Sequence, residues 1–466
     1  MNRSTQTRRD FLKTIGLTTA VFSLGGCSES ISQFGKAKQN KPNILLILVD
    51  DLGYGDLSSY GAKDLQTPNI DSLMKHGCRM DNFYANCPVC SPTRAGLLSG
   101  RYPDLVGVPG VIRNKPEDTF GYLRPGTVLL PKVLKTAGYD TAIIGKWHLG
   151  LKSPNTPNEK GFDHFHGFLG DMMDDYFNHR RVGKNWMRLN KKTIDPEGHA
   201  TDLFTEWSVD YINKRAKKSR PFFLYLAYNA PHTPIQSPKG WFERVKRRQK
   251  NISDKRANIV GMIEHLDNGI GKVINALKET GQADNTLIIF TSDNGGQRSA
   301  GASNGELNGN KGEMLEGGIR VPFSAVWPGK IPPVRDHGFV ALTMDLYPTI
   351  CEAASARFRH EIDGISILPA LMAEPVPKLD RFLFWMRREG WQSNGQIYYC
   401  ARYGDYKLLQ KNSPFEELKL YNLKDDPKEQ NPLSKDHRMY KKLFKALQRH
   451  IIKAGAVAWH KGLPSN

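Results

Sequence analysis

The sequence of 466 residues has few cysteines and no long apolar run, and each shortage excludes a class of protein. No apolar stretch reaches the ~20 residues that a helix needs to cross a bilayer, so we expect no transmembrane helix. Six cysteines are too few for a disulfide scaffold in a chain of this length. Cys87 and Cys90 form a CxxC pair, but no second pair is present to complete a zinc site. The sequence leaves open whether Cys78, Cys87, Cys351 or Cys400 pair.

Acidic residues are outnumbered by basic ones, and this imbalance indicates the charge of the partner. The chain contains 66 lysines and arginines against 47 aspartates and glutamates, a net charge of +19. The first 26 residues carry +3 of this charge, so the remainder keeps +16. A basic surface favours an anionic partner. Nucleic acid is the generic candidate, but no nucleic-acid motif is present, so we expect no nucleic-acid partner. A sulfated polymer fits the charge equally well.

The N-terminal residues 1–26 are predicted to be an export signal. The segment TRRDFLK at 7–13 is typical of twin-arginine signals and precedes an apolar stretch. The sequence LGGC that ends at Cys27 resembles a bacterial lipobox, whose cysteine is lipidated after cleavage, and Ser28 favours outer-membrane sorting. An ordinary apolar helix ended by two glycines is the alternative. We expect the twin-arginine machinery to export a folded lipoprotein. Its membrane contact would be the lipid on Cys27, with residues 27–41 as a flexible tether.

Strand and helix patterns alternate between residues 42 and 375, which predicts an α/β fold with a mostly parallel sheet and helices on both faces. The predicted strands are 43–49, 141–144, 222–228, 287–291 and 321–327. The predicted helices are 67–76, 128–136, 254–279 and 344–354. After 375 the pattern changes to short strands and one amphipathic helix at 437–453. This change predicts a smaller antiparallel lobe at 376–466.

Oxygen-rich side chains follow two of the predicted strands. Asp50 and Asp51 come after the first strand, and the segment SDNG at 292–295 ends a later one. In parallel sheets the carboxyl ends of strands meet at one edge, where ligands bind. Buried together, these negative charges would be costly without a cation. Carboxylates with an amide oxygen suit calcium, so we predict a calcium site, although each segment alone is more often a turn.

The segment from Cys90 to Arg101 reads CSPTRAGLLSGR. This pattern resembles the signature of the type I formylglycine-dependent sulfatases of the alkaline phosphatase superfamily. Ser99 departs from it, since threonine is more usual before the Gly-Arg. The alternative is a buried cysteine before a helix that starts with proline. The resemblance implies an alkaline-phosphatase-like fold, with a catalytic domain at 42–375 and a C-terminal subdomain at 376–466.

Other segments extend the resemblance over the rest of the chain. The family's calcium ligands correspond to Asp50, Asp51, Asp293 and Asn294, together with the group at Cys90. Further matches are GKWHLG at 145–150, APHTP at 230–234, NKG at 310–312, EGGIRVP at 316–322, YGDYKL at 403–408 and LYNL at 420–423. No catalytic position that the resemblance requires is missing.

The resemblance also implies how the nucleophile arises. A formylglycine-generating enzyme would oxidise Cys90 to an aldehyde, whose hydrate attacks the sulfur of a sulfate ester. Calcium would lower the pKa of the attacking hydroxyl and polarise a sulfate oxygen. Arg94 would hold the hydrated aldehyde and add positive charge.

Four further residues receive roles from the same resemblance. Lys146 and Lys311 would bind sulfate oxygens. His232 would protonate the leaving alcohol. His148 would deprotonate the second hydroxyl, so that sulfate leaves and the aldehyde is regenerated. Taken singly, each of these residues is more often a structural histidine or a solvated lysine.

We therefore expect an exported sulfuric ester hydrolase that removes sulfate from a carbohydrate, either a sulfated polysaccharide or its oligosaccharides. Arg180, Arg181 and Arg298 are predicted to bind substrate at the rim of the site. A phosphonate or phosphate ester hydrolase on the same scaffold is the nearest alternative. A lipoprotein that binds glycans without catalysis is the alternative from another class. The sugar, the sulfated position and the oligomeric state cannot be predicted.

Overall fold

The computed structural model describes residues 41–115, 118–377, 380–390, 395–411 and 415–457. The predicted signal at 1–26, Cys27 and all but the last residue of the predicted tether lie outside these ranges. Within them, no helix combines the length and the apolar character needed to cross a membrane.

The strands and helices are numbered in chain order. The strands are β1 (Asn43–Val49), β2 (Cys78–Met80), β3 (Phe83–Tyr84), β4 (Asp140–Lys146), β5 (His164–Phe168), β6 (Arg180–Arg181), β7 (Lys184–Asn185), β8 (Met187–Leu189), β9 (Lys192–Thr193), β10 (Phe222–Ala227), β11 (Thr286–Ser292), β12 (Phe323–Val326), β13 (Val334–Asp336), β14 (Ala341–Leu342), β15 (Phe382–Arg388), β16 (Ile397–Tyr403), β17 (Tyr406–Leu409) and β18 (Lys419–Asn422). The helices are α1 (Pro68–His76), α2 (Cys90–Ser99), α3 (Leu130–Thr136), α4 (Ala200–Arg215), α5 (Lys239–Arg248), α6 (Asp254–Glu279), α7 (Glu316–Ile319), α8 (Leu346–Ala353), α9 (Leu368–Leu371) and α10 (Arg438–Gly455).

A ten-stranded sheet forms the centre of the fold, in the order β13-β2-β12-β11-β1-β10-β4-β5-β8-β9. Its middle five strands, from β11 to β5, are parallel, and the adjoining pairs β11–β12 and β5–β8 are antiparallel. The predicted α/β fold with a mostly parallel central sheet is confirmed. The sequence prediction missed the short flanking strands β2, β8, β9 and β13, which lack a long apolar run.

Strand β1 shows why a continuous apolar run forms the middle of this sheet. Ile44, Leu46 and Leu48 belong to the hydrophobic cluster on one face, and Leu45 and Ile47 belong to the cluster on the other. Successive side chains of a strand point to opposite faces, so a strand covered on both sides is apolar at every position.

The helices lie close to the predicted positions, with two informative differences. Helix α6 has the predicted bounds, and the Ser253 side chain caps it by accepting a hydrogen bond from the Arg256 amide at 3.3 Å. The helix predicted at 344–354 starts instead with a 3-10 turn, Thr343–Asp345, and continues as α8. The sequence prediction missed α4, because its buried face includes Thr201, Thr205 and Ser208 and so shows no clear apolar stripe.

The C-terminal part contains a second sheet, β15-β16-β17-β18, in which every adjacent pair is antiparallel. Helix α10 covers one face of it with Met439, Leu443 and Leu447. This sheet and helix agree with the antiparallel lobe predicted after residue 375. The exact boundary between 375 and 376 stays a prediction.

Buried charges join this C-terminal sheet to the loop that follows β11. The Nζ atom of Lys407 lies 2.8 Å from a carboxylate oxygen of Glu316 and 2.8 Å from one of Glu429. The Tyr84 hydroxyl donates to Glu316 at 2.7 Å. Burial alone would raise the pKa of Glu316, but nearby positive charges, chiefly that of Lys407, together outweigh it and lower that pKa. The pKa of Glu429 is raised, because burial outweighs the charge of Lys407 there. Two buried carboxylates therefore share one ammonium group, and Glu316 also lies 3.7 Å from the guanidinium of Arg320.

The cysteine pairing that the sequence left open is settled for the described part of the chain. Five cysteines there are buried and free: Cys78, Cys87, Cys90, Cys351 and Cys400.

Candidate active site

The acidic residues predicted to converge do so at the carboxyl ends of β1 and β11. These strands are parallel neighbours with Val49 opposite Ser292, so the residues that follow them emerge side by side. The Asp51 amide donates to Asp293 Oδ1 at 3.3 Å, and Asn294 Nδ2 donates to Asp51 Oδ1 at 2.7 Å. Carboxylate oxygens of Asp50, Asp51 and Asp293 all lie within 4.8 Å of one another.

Two oxygen atoms of this cluster are placed to bind a cation. Asp50 Oδ1 and Asn294 Oδ1 are buried and accept no hydrogen bond from the described residues. The amide group of Asn294 donates through its nitrogen to Asp51, so its oxygen remains for another partner. Burial and the charge of Asp50 raise the pKa of Asp293, as expected for carboxylates that lie close together. An all-oxygen donor set of this kind suits a hard divalent cation.

Cys90 occupies the first position of α2, next to this cluster. Its side chain is buried, and its sulfur lies within 4.8 Å of ligand atoms of Asp50 and His232. Burial, opposed by the charges of Lys146 and Lys311, raises the pKa of the Cys90 thiol to about 11. An unmodified thiol would therefore be protonated at neutral pH and would be a poor nucleophile.

Three cations balance the three carboxylates, and two of them, Arg94 and Lys146, are fully buried. Lys146 Nζ forms an ion pair with Asp50, and Lys311 Nζ lies 2.7 Å from Asp51 Oδ2. The guanidinium of Arg94 donates twice to Asp293, at 2.7 and 3.0 Å. Its Nη1 also donates to the Lys146 carbonyl at 3.2 Å, which joins α2 to the end of β4. A divalent cation would leave the site positive and suited to an anionic substrate.

The two predicted histidines are held by backbone carbonyls. His148 Nε2 donates to the Ile112 carbonyl at 2.8 Å, and its Nδ1 is buried without a hydrogen-bond partner among the described residues. His232 Nδ1 lies 2.6 Å from the Thr233 carbonyl, and its Nε2 lies 3.7 Å from Asp51 Oδ2. Burial, with the nearby Lys146, lowers the pKa of His148 well below its usual value. Burial, with Lys311, also lowers the pKa of His232.

A small cavity of about 130 Å³ opens onto these groups. Cys90, His148, His232 and Lys311 line it. Three arginines from separate segments complete the rim: Arg113, Arg181 and Arg387.

The rim contains one of the three arginines predicted to bind substrate. Arg181 lines the cavity, where Asp171 binds it at 3.0 Å. Arg180 instead pairs with the exposed Asp195, and Arg298 donates to the Leu307 carbonyl; neither lines the cavity.

The other two rim arginines were missed by sequence reasoning. Arg113 lies in an irregular segment, and Arg387 lies on β15 of the C-terminal sheet. No local motif surrounds either residue, so only the fold reveals their position.

The chain matches known proteins over nearly all of its described length. Residues 42–356 match the family described as Sulfatase, and residues 309–456 match the family described as N-sulphoglucosamine sulphohydrolase, C-terminal. The N-acetylgalactosamine-6-sulfatase of Canis lupus familiaris is 33% identical over 390 residues, which cover 78% of this chain and 71% of that protein. A sulfatase of Formosa agariphila is 31% identical over 513 aligned residues, which cover 91% of each chain.

A solved structure shows the same fold. The crystal structure of Ps i-CgsB in complex with k-i-k-neocarrahexaose superposes with a TM-score of 0.82 and 32% identity, over 90% of this chain and 95% of that one. The chain belongs to the sulfatase family. It is accordingly an enzyme, a sulfatase, with the alkaline-phosphatase-like α/β fold of that family.

Proposed function

We propose that this sulfatase removes sulfate from a sulfated polysaccharide or its oligosaccharides, with a formylglycine at position 90 and a calcium ion. One observation carries the proposal: Cys90 lies at the start of α2, within 4.8 Å of Asp50 and His232, beside an oxygen cluster that has two unpartnered atoms. Two relatives support the substrate class, since one is named for an N-acetylgalactosamine 6-sulfate activity and the other is solved with a neocarrahexaose.

Formylglycine would supply the nucleophile, and calcium would supply the Lewis acid. Formylglycine hydrate at position 90 would provide a hydroxyl for attack at sulfur, and calcium held by Asp50, Asp51, Asp293 and Asn294 would polarise the sulfate. A thiol with a pKa of about 11 could not take this role at neutral pH. Lys146 and Lys311 flank position 90 and would bind the sulfate oxygens as point charges.

The histidines would move the protons. With Nδ1 facing the Thr233 carbonyl, His232 has Nε2 available to protonate the leaving alcohol. An anionic sulfate beside it would raise its lowered pKa and let it carry that proton. With Nε2–H held by the Ile112 carbonyl, His148 presents an unprotonated Nδ1, which would accept a proton when sulfate is expelled.

The function is tested by measuring sulfate release from defined sulfated oligosaccharides. In parallel, the turnover of an aryl sulfate is compared with that of the matching aryl phosphonate. We expect kcat/KM to be far higher for the aryl sulfate, because the relatives that the chain matches over most of its length are sulfatases. A preference for the phosphonate would favour the alternative hydrolase. Binding of oligosaccharides without release of sulfate would favour the glycan-binding alternative.

Removal of the metal is expected to abolish activity and to destabilise the site. Stripping the enzyme with a calcium chelator should lower aryl sulfatase activity by about 100-fold or more, since a Lewis acid contributes several kcal/mol to the transition state. It should also lower the Tm, because Asp50, Asp51 and Asp293 would lose a shared cation. Calcium should restore both properties better than magnesium. Full activity in a metal-free preparation would contradict the site.

The rim arginines are expected to matter for polymers and not for small substrates. Arg181→Gln should lower kcat/KM for a sulfated hexasaccharide about fivefold, since exposed ionic contacts contribute roughly 1 kcal/mol or less each. The effect should shrink as ionic strength rises above ~0.1 M. The kcat/KM of Arg181→Gln for a small aryl sulfate should equal that of the unmodified enzyme. Arg180→Gln provides the matched control, because Arg180 lies next in sequence but outside the cavity. Equal losses in the two variants would exclude a specific rim contact.

We also propose that the enzyme acts in the bacterial cell envelope as an outer-membrane lipoprotein. The twin-arginine segment and the lipobox-like cysteine, Cys27, support this location. Both lie outside the described residues. Oxidation of Cys90 by a formylglycine-generating enzyme before export would be compatible with this route, since it carries folded proteins.

A further inference from the structure

A groove distinct from the active-site cavity lies where α10 meets β15. Its volume is about 590 Å³, within the range of ligand sites, and it shares no lining residue with the active-site cavity. Phe382 and Phe384 of β15 form part of its lining, and basic residues of α10 form the opposite side.

Aromatic rings form a fixed floor in this groove. The Phe384 ring is stacked on His450, with ring centroids 4.4 Å apart, and Tyr102 meets Phe384 edge-on at 5.8 Å. His450 is itself held by Asp104, with Nε2 and Oδ2 2.7 Å apart. Phe382 and Phe384 remain partly exposed, and this exposed aromatic surface can contact the apolar side of a sugar ring.

Basic side chains form a stripe along the groove. Lys442, Lys445, Arg449 and Lys453 are exposed and follow one another at intervals of three or four residues, so they share one face of α10. The helix contains no acidic residue from Arg438 to Gly455.

Three of the four basic side chains have no acidic partner among the residues that the structure describes: Lys442, Lys445 and Arg449. The Nζ atom of Lys442 lies over the Tyr403 ring, 3.5 Å from its centroid. Lys453 lies 3.3 Å from Glu361 and 3.8 Å from Asp363. Asp363, the acidic residue of the lining, is bound by Arg101 at 2.7 Å. The groove is therefore positive beside an aromatic floor.

We infer that this groove is a second binding site for a sulfated oligosaccharide, which holds the polymer while the active site removes sulfate. The choice of ligand rests on the proposed function. Sulfate groups complement the basic stripe, and sugar rings complement the aromatic floor. Strand β15 carries residues of both sites, since Phe384 lines the groove and Arg387 lines the cavity. They are three residues, about 10 Å, apart along the strand and point to opposite faces, so one strand fixes the spacing of the two sites.

The packing of α10 argues against an anionic membrane as the occupant. A helix that binds a bilayer surface turns its apolar face outward. Here Met439, Leu443 and Leu447 are buried against the C-terminal sheet, and Phe444 and Ile452 are the exposed large apolar side chains of the helix. A membrane surface would therefore contact mainly the charged side chains of the groove. A sugar chain could also contact its aromatic floor.

The test measures binding of a fluorescently labelled dextran sulfate oligosaccharide to the full chain at low ionic strength. Lys445→Glu/Arg449→Glu reverses two groove charges. Arg438→Glu/Lys441→Glu reverses two exposed charges of the same helix outside the groove and is the matched control. We expect the groove variant to bind about tenfold more weakly and the control to change less than about twofold. Both variants should hydrolyse a small aryl sulfate as the unmodified enzyme does, which shows that fold and active site are intact.

Three outcomes would overturn the inference. Unchanged dextran sulfate binding by the groove variant would exclude the site. Equal weakening in both variants would mean that the overall charge of α10, and not the groove, attracts the polymer. Loss of binding to phosphatidylglycerol vesicles with intact dextran sulfate binding would identify a membrane as the occupant. If the unmodified enzyme released sulfate neither from sulfated oligosaccharides nor from an aryl sulfate, the proposed function would be refuted, and the binding result would stand on its own.

Discussion

Cys90→Ser, produced in a host that cannot oxidise serine, is expected to lose at least about 10⁴-fold in aryl sulfate turnover. A serine that attacked sulfur would form a sulfate ester, which needs a second attack at sulfur to be released. An aldehyde hydrate avoids this step, because its second hydroxyl expels the sulfate. Substrate binding should remain, since Lys146 and Lys311 are unchanged. Steady-state kinetics with a chromogenic aryl sulfate and a separate binding measurement distinguish the two effects.

Cys87→Ser provides the control for this substitution. Cys87 is a buried cysteine three residues before Cys90, and its sulfur contacts the Met386 carbonyl at 3.4 Å, a bond that a serine hydroxyl can replace. Its activity should stay within a few-fold of the unmodified enzyme. Full turnover by Cys90→Ser, with serine confirmed at that position, would contradict the formylglycine proposal.

Lys407→Met is expected to destabilise the fold by about 3–5 kcal/mol, because it leaves Glu316 and Glu429 buried without their shared cation. Urea unfolding, followed by tryptophan fluorescence, measures the change. Glu316 is the first residue of α7, five residues after Lys311, so activity should fall as well.

The exposed pair of Lys435 and Glu417 supplies the comparison. Lys435→Met removes an ion pair in solvent and should leave the urea midpoint nearly unchanged. If the two lysine variants unfold at the same urea concentration, the buried charges do not stabilise the junction between the sheets.

The sequence predicted the centre of the site better than its rim. Asp50 and Asp293 could be placed together because each follows a continuous apolar strand, and parallel strands end at the same edge. The pattern around Cys90 likewise indicated a helix that starts at the site. Arg113 and Arg387 could not be predicted, because their positions depend on how a loop and the C-terminal sheet pack around the cavity.

Ion pairs between residues far apart in the chain could not be predicted from the sequence either. Lys407 follows a turn and has the pattern of an exposed strand residue, yet it is fully buried between Glu316 and Glu429. Their separations along the chain give no signal of contact. Helix α4 was missed for a different reason, since its buried threonines and serine hide the helical stripe on which such predictions depend.

The most direct test of the central claim is mass spectrometry of the active enzyme at position 90. Trypsin cleaves after Arg79 and Arg94, so one peptide, Met80–Arg94, contains both Cys87 and Cys90. After treatment with a thiol-alkylating reagent, Cys87 should be alkylated and position 90 should carry an aldehyde or its hydrate. The aldehyde fraction should rise in proportion to specific activity across preparations. A fully active preparation in which both positions are alkylated cysteines would contradict the account.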